Sequence, residues 1–313
     1  MQCLTPKSMA ELSGALAQAT PATRILAGGT DYALHERKGN FTPDLLIYPG
    51  AIPELHQISL TEDGLTIGAM VTMREIADAL SSVPAYRAIA DMAANVGSPQ
   101  IRNKATLVGN LANASPAGDS LPVCLLYQAQ VLVMDGSGDV AVIPAGEFVL
   151  GPQKTVLSAG QAIVAIRFPR SFAPGTISAF SKVGFRQHVS IARESMGALV
   201  HLTDEGVISE VRITLGAVSS APIEIPEVCE MMVGQRLDDE ALFERVSSAV
   251  AQAVQSHCRP ANRLYKTEAA KGLTADVFSL LLSRSHSASP LSYRKKVPTV
   301  QLEPSSYFQT GSP

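Results

Sequence analysis

The chain has 313 residues, enough for a substantial buried core and about two domains. Its 46% hydrophobic and 17% charged residues describe a folded chain, and a net charge of −3 gives no global electrostatic case for nucleic acid. No apolar run reaches the roughly 18 residues that cross a bilayer, and MQCLTPKSMAEL at the start has no apolar signal core, so a cytoplasmic protein is expected.

In chain order, Ser8-Met9-Ala10-Glu11 is a capping-box pattern that opens a helix with Leu12, Ala15, Leu16 and Ala19 on its apolar side. Arg24–Ala27 reads as a short strand running into Gly28-Gly29. Leu45–Tyr48 is a second strand, ended by Pro49-Gly50, and Gly64–Ala69 is a third. Thr72-Met73-Arg74-Glu75 starts another helix, to about Leu80. A helix from about Ala85 to Val96 stops at Gly97, a residue suited to the left-handed cap.

Asp119 is placed to cap a helix through Cys124 and Leu126. Asp135-Gly136-Ser137-Gly138 between Val131–Met134 and Val140–Ile143 is a hairpin signal, and Ala162–Phe168 is a strand closed by Pro169. A boundary is expected in Pro169–Thr176. Beyond it, Ile177–Val183, Met196–Leu202 and Val207–Val218 form a three-stranded antiparallel unit. Helices from about Asp239 and through Phe278 and Leu281 follow, then a Ser/Pro-rich polar tail. The fold class is α+β in two parts, 1–174 and 175–286, with 287–313 as the tail. No G-x-G-x-x-G opens a helix, which disfavours an NAD-type doubly wound domain.

Two segments carry chemistry. Ile25-Leu26-Ala27-Gly28-Gly29-Thr30-Asp31 and Ile101–Asp119 place glycines and small residues where a β-run is expected to end. Backbone there can approach a bulky anion and turn N–H groups toward it. Together they suggest a clamp on a large phosphorylated ligand such as a dinucleotide. Alone, the first segment is more plainly a tight strand-to-helix turn. The second is long and polar for a mere connection. Arg102 and Lys104 meet phosphate charge or form a solvated basic pair. Lys182, taken alone, is a solvated strand charge.

Cys3, Cys124, Cys229 and Cys258 have neither disulfide-framework nor cluster spacing, so an iron–sulfur centre is not expected in this chain. The histidines show no H-E-x-x-H pairing and no G-x-S-x-G elbow occurs, so no catalytic residue and no metal ligand is assigned.

The ordered motifs LAGGTD, PQIRNKATLVGNLANASPAGDSLP, FSKVGFRQHVSIA and RPANRLYK resemble the FAD-binding subunit of molybdenum hydroxylases, the family of the xanthine and carbon monoxide dehydrogenase flavoproteins. Gly151–Leu157 and Gly97–Asn103 look most like the xanthine dehydrogenase branch. The resemblance implies a FAD domain of p-cresol-methylhydroxylase type and a flavoprotein C-terminal domain. It implies that Leu26, Ala27, Gly28, Gly29, Thr30 and Asp31 wrap the FAD pyrophosphate and ribityl chain. Thr106, Val108, Gly109 and Asn110 would form a second phosphate loop, with Ser115 and Asp119 hydrogen-bonding the cofactor. Val96, Arg102, Ala114, Ile163 and Lys182 complete the implied cofactor set.

The implied function is that of an electron-transfer subunit. It would pass electrons from the iron–sulfur clusters of a small partner subunit to NAD or another acceptor, while a large partner subunit carries the molybdenum cofactor. The sequence departs from the family at Val108, where a glycine pair is usual and a β-type conformation or a slight shift of the loop is expected. It departs also at Ser190, in place of Asp, and at His257-Cys258, in place of an acidic residue before Arg259. Carbon monoxide, nicotinate and aldehyde dehydrogenase flavoproteins, a self-sufficient small FAD oxidoreductase, and an assembly module without flavin stay open as alternatives.

Overall fold

The computed structural model describes residues 2–39, 42–185 and 191–285; Arg186, Ser190 and the expected tail 287–313 lie outside the described residues. The chain opens with β1 (Gln2–Leu4), α1 (Met9–Leu16), β2 (Arg24–Ile25), α2 (Tyr32–Arg37) and β3 (Leu45–Ile47). The strands form a small parallel sheet in the order β1-β3-β2. Parallel pairing needs crossovers, which α1 and α2 supply. Ser8 caps α1 by accepting the Glu11 N–H, and Met9, Leu12 and Leu16 are buried beneath it.

Next come β4 (Ile58–Thr61), β5 (Gly64–Gly68), α3 (Met73–Leu80), α4 (Arg87–Asn95), α5 (Pro99–Arg102), α6 (Leu107–Ala112) and α7 (Ser120–Leu126). They are followed by β6 (Gln130–Met134), β7 (Val140–Pro144), α8 (Ala145–Phe148), β8 (Val149–Gly151), β9 (Lys154–Thr155) and β10 (Ala162–Phe168). Five of these strands make an antiparallel sheet in the order β4-β5-β10-β6-β7. The near-continuous apolar run of β10 follows from its central place, since every residue but Arg167 is buried. Thr72 and Glu75 form the expected capping box on α3. Gly97, at φ 50°, turns the chain after α4.

The last part holds β11 (Thr176–Gly184), β12 (Ala192–Leu202), β13 (Ile208–Gly216), β14 (Ile223–Glu224), α9 (Pro226–Met232), α10 (Glu240–His257) and α11 (Arg263–Ser285). The three long strands pair antiparallel as expected, and the two-residue β14 extends the sheet beside β13. Asp239 caps α10 by accepting the Ala241 N–H at 2.9 Å. One hydrophobic cluster runs from Met9 to Phe168 and takes in Phe180 and Leu199; a second runs from Ile177 to Leu281.

A dense side-chain joint ties the two clusters together. Arg284 grips Asp91 with both guanidinium nitrogens, at 2.7 and 2.9 Å, and donates to the Ser178 carbonyl at 2.6 Å. Asp91 also accepts the Phe180 N–H. Tyr127 donates to the Ala85 carbonyl at 2.7 Å and lies 2.8 Å from the Ser178 hydroxyl. This joint fixes β11 against α4 and against Tyr127, just past the end of α7.

Candidate functional site

The first glycine segment leaves the parallel sheet at Leu26, whose N–H is the last to pair, on the Ile47 carbonyl at 2.9 Å. From Ala27 to Asp31 no backbone N–H donates to another described residue. Gly29 sits at φ 71°, a conformation strained for any L side chain. The result is a run of unpaired donors on partly or fully exposed residues, two of them glycines without side chains, the kind of backbone an anion-binding nest uses.

The second segment packs directly on the first. A Cβ on Gly28 would lie 1.8 Å from the Lys104 carbonyl oxygen, so glycine is required for the two backbones to meet. The Asp31 carboxylate accepts from Asn113 Nδ2 at 2.8 Å, a second tie between the segments. The two regions expected to converge are therefore brought together.

Their internal structure differs from the expectation. The segment Ile101–Asp119 begins inside a helix rather than at the end of a β-run, and much of it is short helix rather than loop. Ser98 accepts from the Ile101 N–H to cap α5, and Thr106 accepts from the Gly109 N–H at 2.9 Å to cap α6. Val108 lies inside α6 and is helical, not β-type: with Thr106 capping the turn, the position needs no glycine. Arg102 donates to the carbonyls of Val96, at 3.3 Å, and Gly97, at 3.0 Å, so it satisfies the end of α4. Asn110 Oδ1 accepts from the Ser120 hydroxyl at 2.6 Å, binding α6 to α7. Ala114 adopts a positive φ of 46°, its carbonyl accepting the Gln153 N–H, and Ser115 closes a turn with Gly118. Ile163 is buried in β10 where the pairing with β6 shifts register.

Asp119 immediately precedes α7 but makes no capping bond. Its Oδ2 instead accepts from Lys182 Nζ, reaching across from β11. Its Oδ1 is buried and meets no partner among the described residues. Burial pushes the Asp119 carboxyl above the usual range, against the opposing pull of the Lys182 ammonium. Lys182 is no solvated strand charge: its side chain is 11% exposed. A buried acceptor left bare costs about 1–3 kcal/mol, so Oδ1 is a place where a ligand's O–H or N–H would be favoured.

The residues fit a large anionic, hydroxyl-bearing ligand. Bare backbone donors stand at Ala27–Asp31, a cramped two-backbone wall at Gly28 and Lys104, and a bare carboxylate oxygen with an ammonium at Asp119 and Lys182. Sequence reasoning missed the roles of Asp91, Ser178 and Arg284, which lie in no motif. Among the described residues no group of three His, Cys, Asp or Glu could hold a metal ion, and no helix is long and apolar enough to cross a membrane.

A sequence family described as the FAD binding domain in molybdopterin dehydrogenase matches residues 1–171, and the CO dehydrogenase flavoprotein C-terminal domain matches residues 179–281. The xanthine dehydrogenase FAD-binding subunit of Escherichia coli O157:H7 is 30% identical over 236 residues, covering 75% of this chain and 80% of that protein. The xanthine dehydrogenase/oxidase of Gallus gallus is 27% identical over 250 residues, covering 76% of this chain; the match spans only 18% of that longer protein. Among solved structures, a chain of the carbon monoxide dehydrogenase from Hydrogenophaga pseudoflava superposes with a TM-score of 0.78 at 24% identity, covering 91% of this chain and 98% of that one, a likeness of fold. With more than half of its length matched by one family and most of the rest by another, the chain belongs to the FAD-binding flavoproteins of the molybdopterin dehydrogenases.

Proposed function

We propose that this chain is the FAD-carrying electron-transfer subunit of a molybdenum hydroxylase of the xanthine dehydrogenase kind. The observation that carries the reading is the run of unpartnered backbone donors at Ala27–Asp31, packed on the Lys104 carbonyl. In this reading residues 1–174 are the FAD domain and 175–286 the C-terminal domain. The Ala27–Asp31 N–H groups hold the cofactor diphosphate, and the capped first turn of α6, Thr106–Asn110, flanks it. Asp119 Oδ1 accepts from a cofactor hydroxyl or N–H. Lys182, anchored by the other carboxylate oxygen, stands against the cofactor with a fixed ammonium. Val96, Ala114, Ser115 and Ile163 supply the remaining wall.

Bound FAD supplies a carrier that takes up electrons one at a time and releases them as a pair. The chain's own part is to hold that group and to set the charge around it. Burial pushes the Cys124 thiol up to about 12 and the Cys229 thiol up to about 11, so neither offers a thiolate for redox chemistry at neutral pH. The four cysteines are free thiols, in keeping with the cytoplasm. Electrons are proposed to arrive from the clusters of a small iron–sulfur subunit, served by a large molybdenum-cofactor subunit, and to leave to NAD or another acceptor.

The test is spectroscopic. The purified chain should bind one FAD, and xanthine alone should not bleach it. Bleaching should appear once the co-expressed molybdenum and iron–sulfur subunits are present. Bleaching of the isolated chain by a small organic substrate would make it a self-sufficient oxidoreductase. A colourless chain that resists reconstitution would end the flavin reading.

A further inference from the structure

Asp31 immediately precedes α2, at the position where an aspartate side chain commonly accepts one of a helix's leading N–H groups. It makes no such bond. Its carboxylate crosses instead to Asn113, 82 residues further along the chain, and accepts from Nδ2 at 2.8 Å. A local bond is forgone for a distant one.

The donor is held from its own side. Asn113 directly follows α6, and its backbone N–H bonds to the Gly109 carbonyl at 3.0 Å. Ala114, the next residue, keeps its φ at 46°, and its carbonyl accepts the Gln153 N–H at 2.9 Å. Thr106 fixes the other end of the same helix by accepting the Gly109 N–H. The Asn113 amide is therefore presented to Asp31 by backbone that is anchored before and after it.

Charge gives this contact its meaning. Asp31 lends its N–H to the run of bare donors at Ala27–Asp31, yet its side chain is an anion. Both groups belong to one residue, so a carboxylate turned back on its own backbone would stand close to whatever those N–H groups hold. Aspartate side chains make that turn readily, because they bond to nearby backbone. Against a diphosphate the encounter is one of like charges. Asn113 donates from a neutral amide and keeps the carboxylate turned toward α6. Asp31 is exposed and Asn113 half-buried, so dissolved salt can screen the repulsion that their contact prevents.

We propose that Asn113 is a positioning residue of the cofactor site: it holds the Asp31 carboxylate against the end of α6, and so keeps a negative charge off the diphosphate bound at Ala27–Asp31. The Asp31 carboxylate itself touches no part of the cofactor. The inference rests on the cofactor reading above and adds to it a residue that acts through Asp31.

Titration of the full chain with FAD at neutral pH, followed by flavin fluorescence, tests it. In roughly 50 mM salt Asn113→Ala should bind FAD about tenfold more weakly than the wild type. In roughly 500 mM salt the gap should close to about threefold or less, as screening takes over from the lost hydrogen bond. Adding Asp31→Asn to Asn113→Ala removes the charge with little change of shape, and should recover about fivefold of the affinity in low salt. A folding defect caused by Asn113→Ala would show neither the salt dependence nor the recovery. Wild-type affinity in Asn113→Ala, a gap that salt leaves unchanged, or a double variant no tighter than the single one would each overturn the proposal. A double variant weaker still would make the Asp31 carboxylate a direct ligand of the cofactor. A wild-type chain that takes up no FAD would instead end the cofactor reading, and this inference with it.

Discussion

The glycine clamp and the joint between the two cores hold the molecule together in opposite ways. The clamp at Ala27–Asp31 and Lys104 works by leaving side chains out, so that backbone can meet backbone and N–H groups stay bare. The joint at Asp91, Arg284, Ser178 and Tyr127 works by saturating side chains, each bonded to two or more partners. One region leaves its donors unpaired among the described residues; the other is already complete. Damage to the joint should therefore appear as lost stability, and damage to the clamp as lost ligand.

The largest effect is expected at the joint. Asp91→Ala leaves the Arg284 guanidinium buried without its carboxylate and should cost about 3–5 kcal/mol, read from the urea midpoint. If flavin content per folded chain fell in that variant while the midpoint held, the division of labour would be wrong.

Next comes the buried Glu194, whose carboxylate oxygens have no hydrogen-bond partner among the described residues and whose carboxyl is pushed up to about 7 by burial, against the Lys266 charge. The folded chain then holds more protons than the unfolded chain between about pH 4.5 and 7. Stability should fall by about 3 kcal/mol as pH rises through that window. Glu194→Gln should flatten that slope in denaturant titrations at several pH values.

At the clamp, Gly28→Ala sets a methyl group against the Lys104 carbonyl and should weaken FAD binding at least tenfold, about 1.4 kcal/mol, in fluorescence titration. Gly29→Val, a β-branched residue at positive φ, should empty the site while the C-terminal domain keeps its fold. The smallest effect sharpens the contrast within the clamp. Thr106→Ala removes the α6 cap and should cost about 1 kcal/mol of stability by thermal melting, with a modest loss of flavin.

The same contrast explains what the sequence discloses. The clamp is legible because it depends on glycine, whose placement has few other reasons, and because β10, the 135–138 hairpin and the capping residues Ser8, Thr72 and Asp239 obey local rules. Ser98 and Thr106 followed the same rules but sat among so many polar residues that two short helices passed for a loop. The role of Val108 was misread for that reason: a helical turn tolerates the side chain that a nest would reject. The joint was hidden because Asp91 and Arg284 meet only through tertiary structure, and nothing near either in the sequence distinguishes it from a solvated charge. Read from its position alone, Asp119 looks like a helix cap, while the resemblance gives it to the cofactor; neither reading shows its partner Lys182, which lies on a strand of the other part.

That last pairing bears on the order in which the protein matures. Asp119 is made early and Lys182 only after the first sheet is complete, and the two meet only when β11 has docked. A cofactor gripped by both side chains would therefore register the closing stage of folding. Yellow colour would mark finished chains in a cell extract, and nascent or clipped chains lacking β11 would stay pale however well their first sheet had formed.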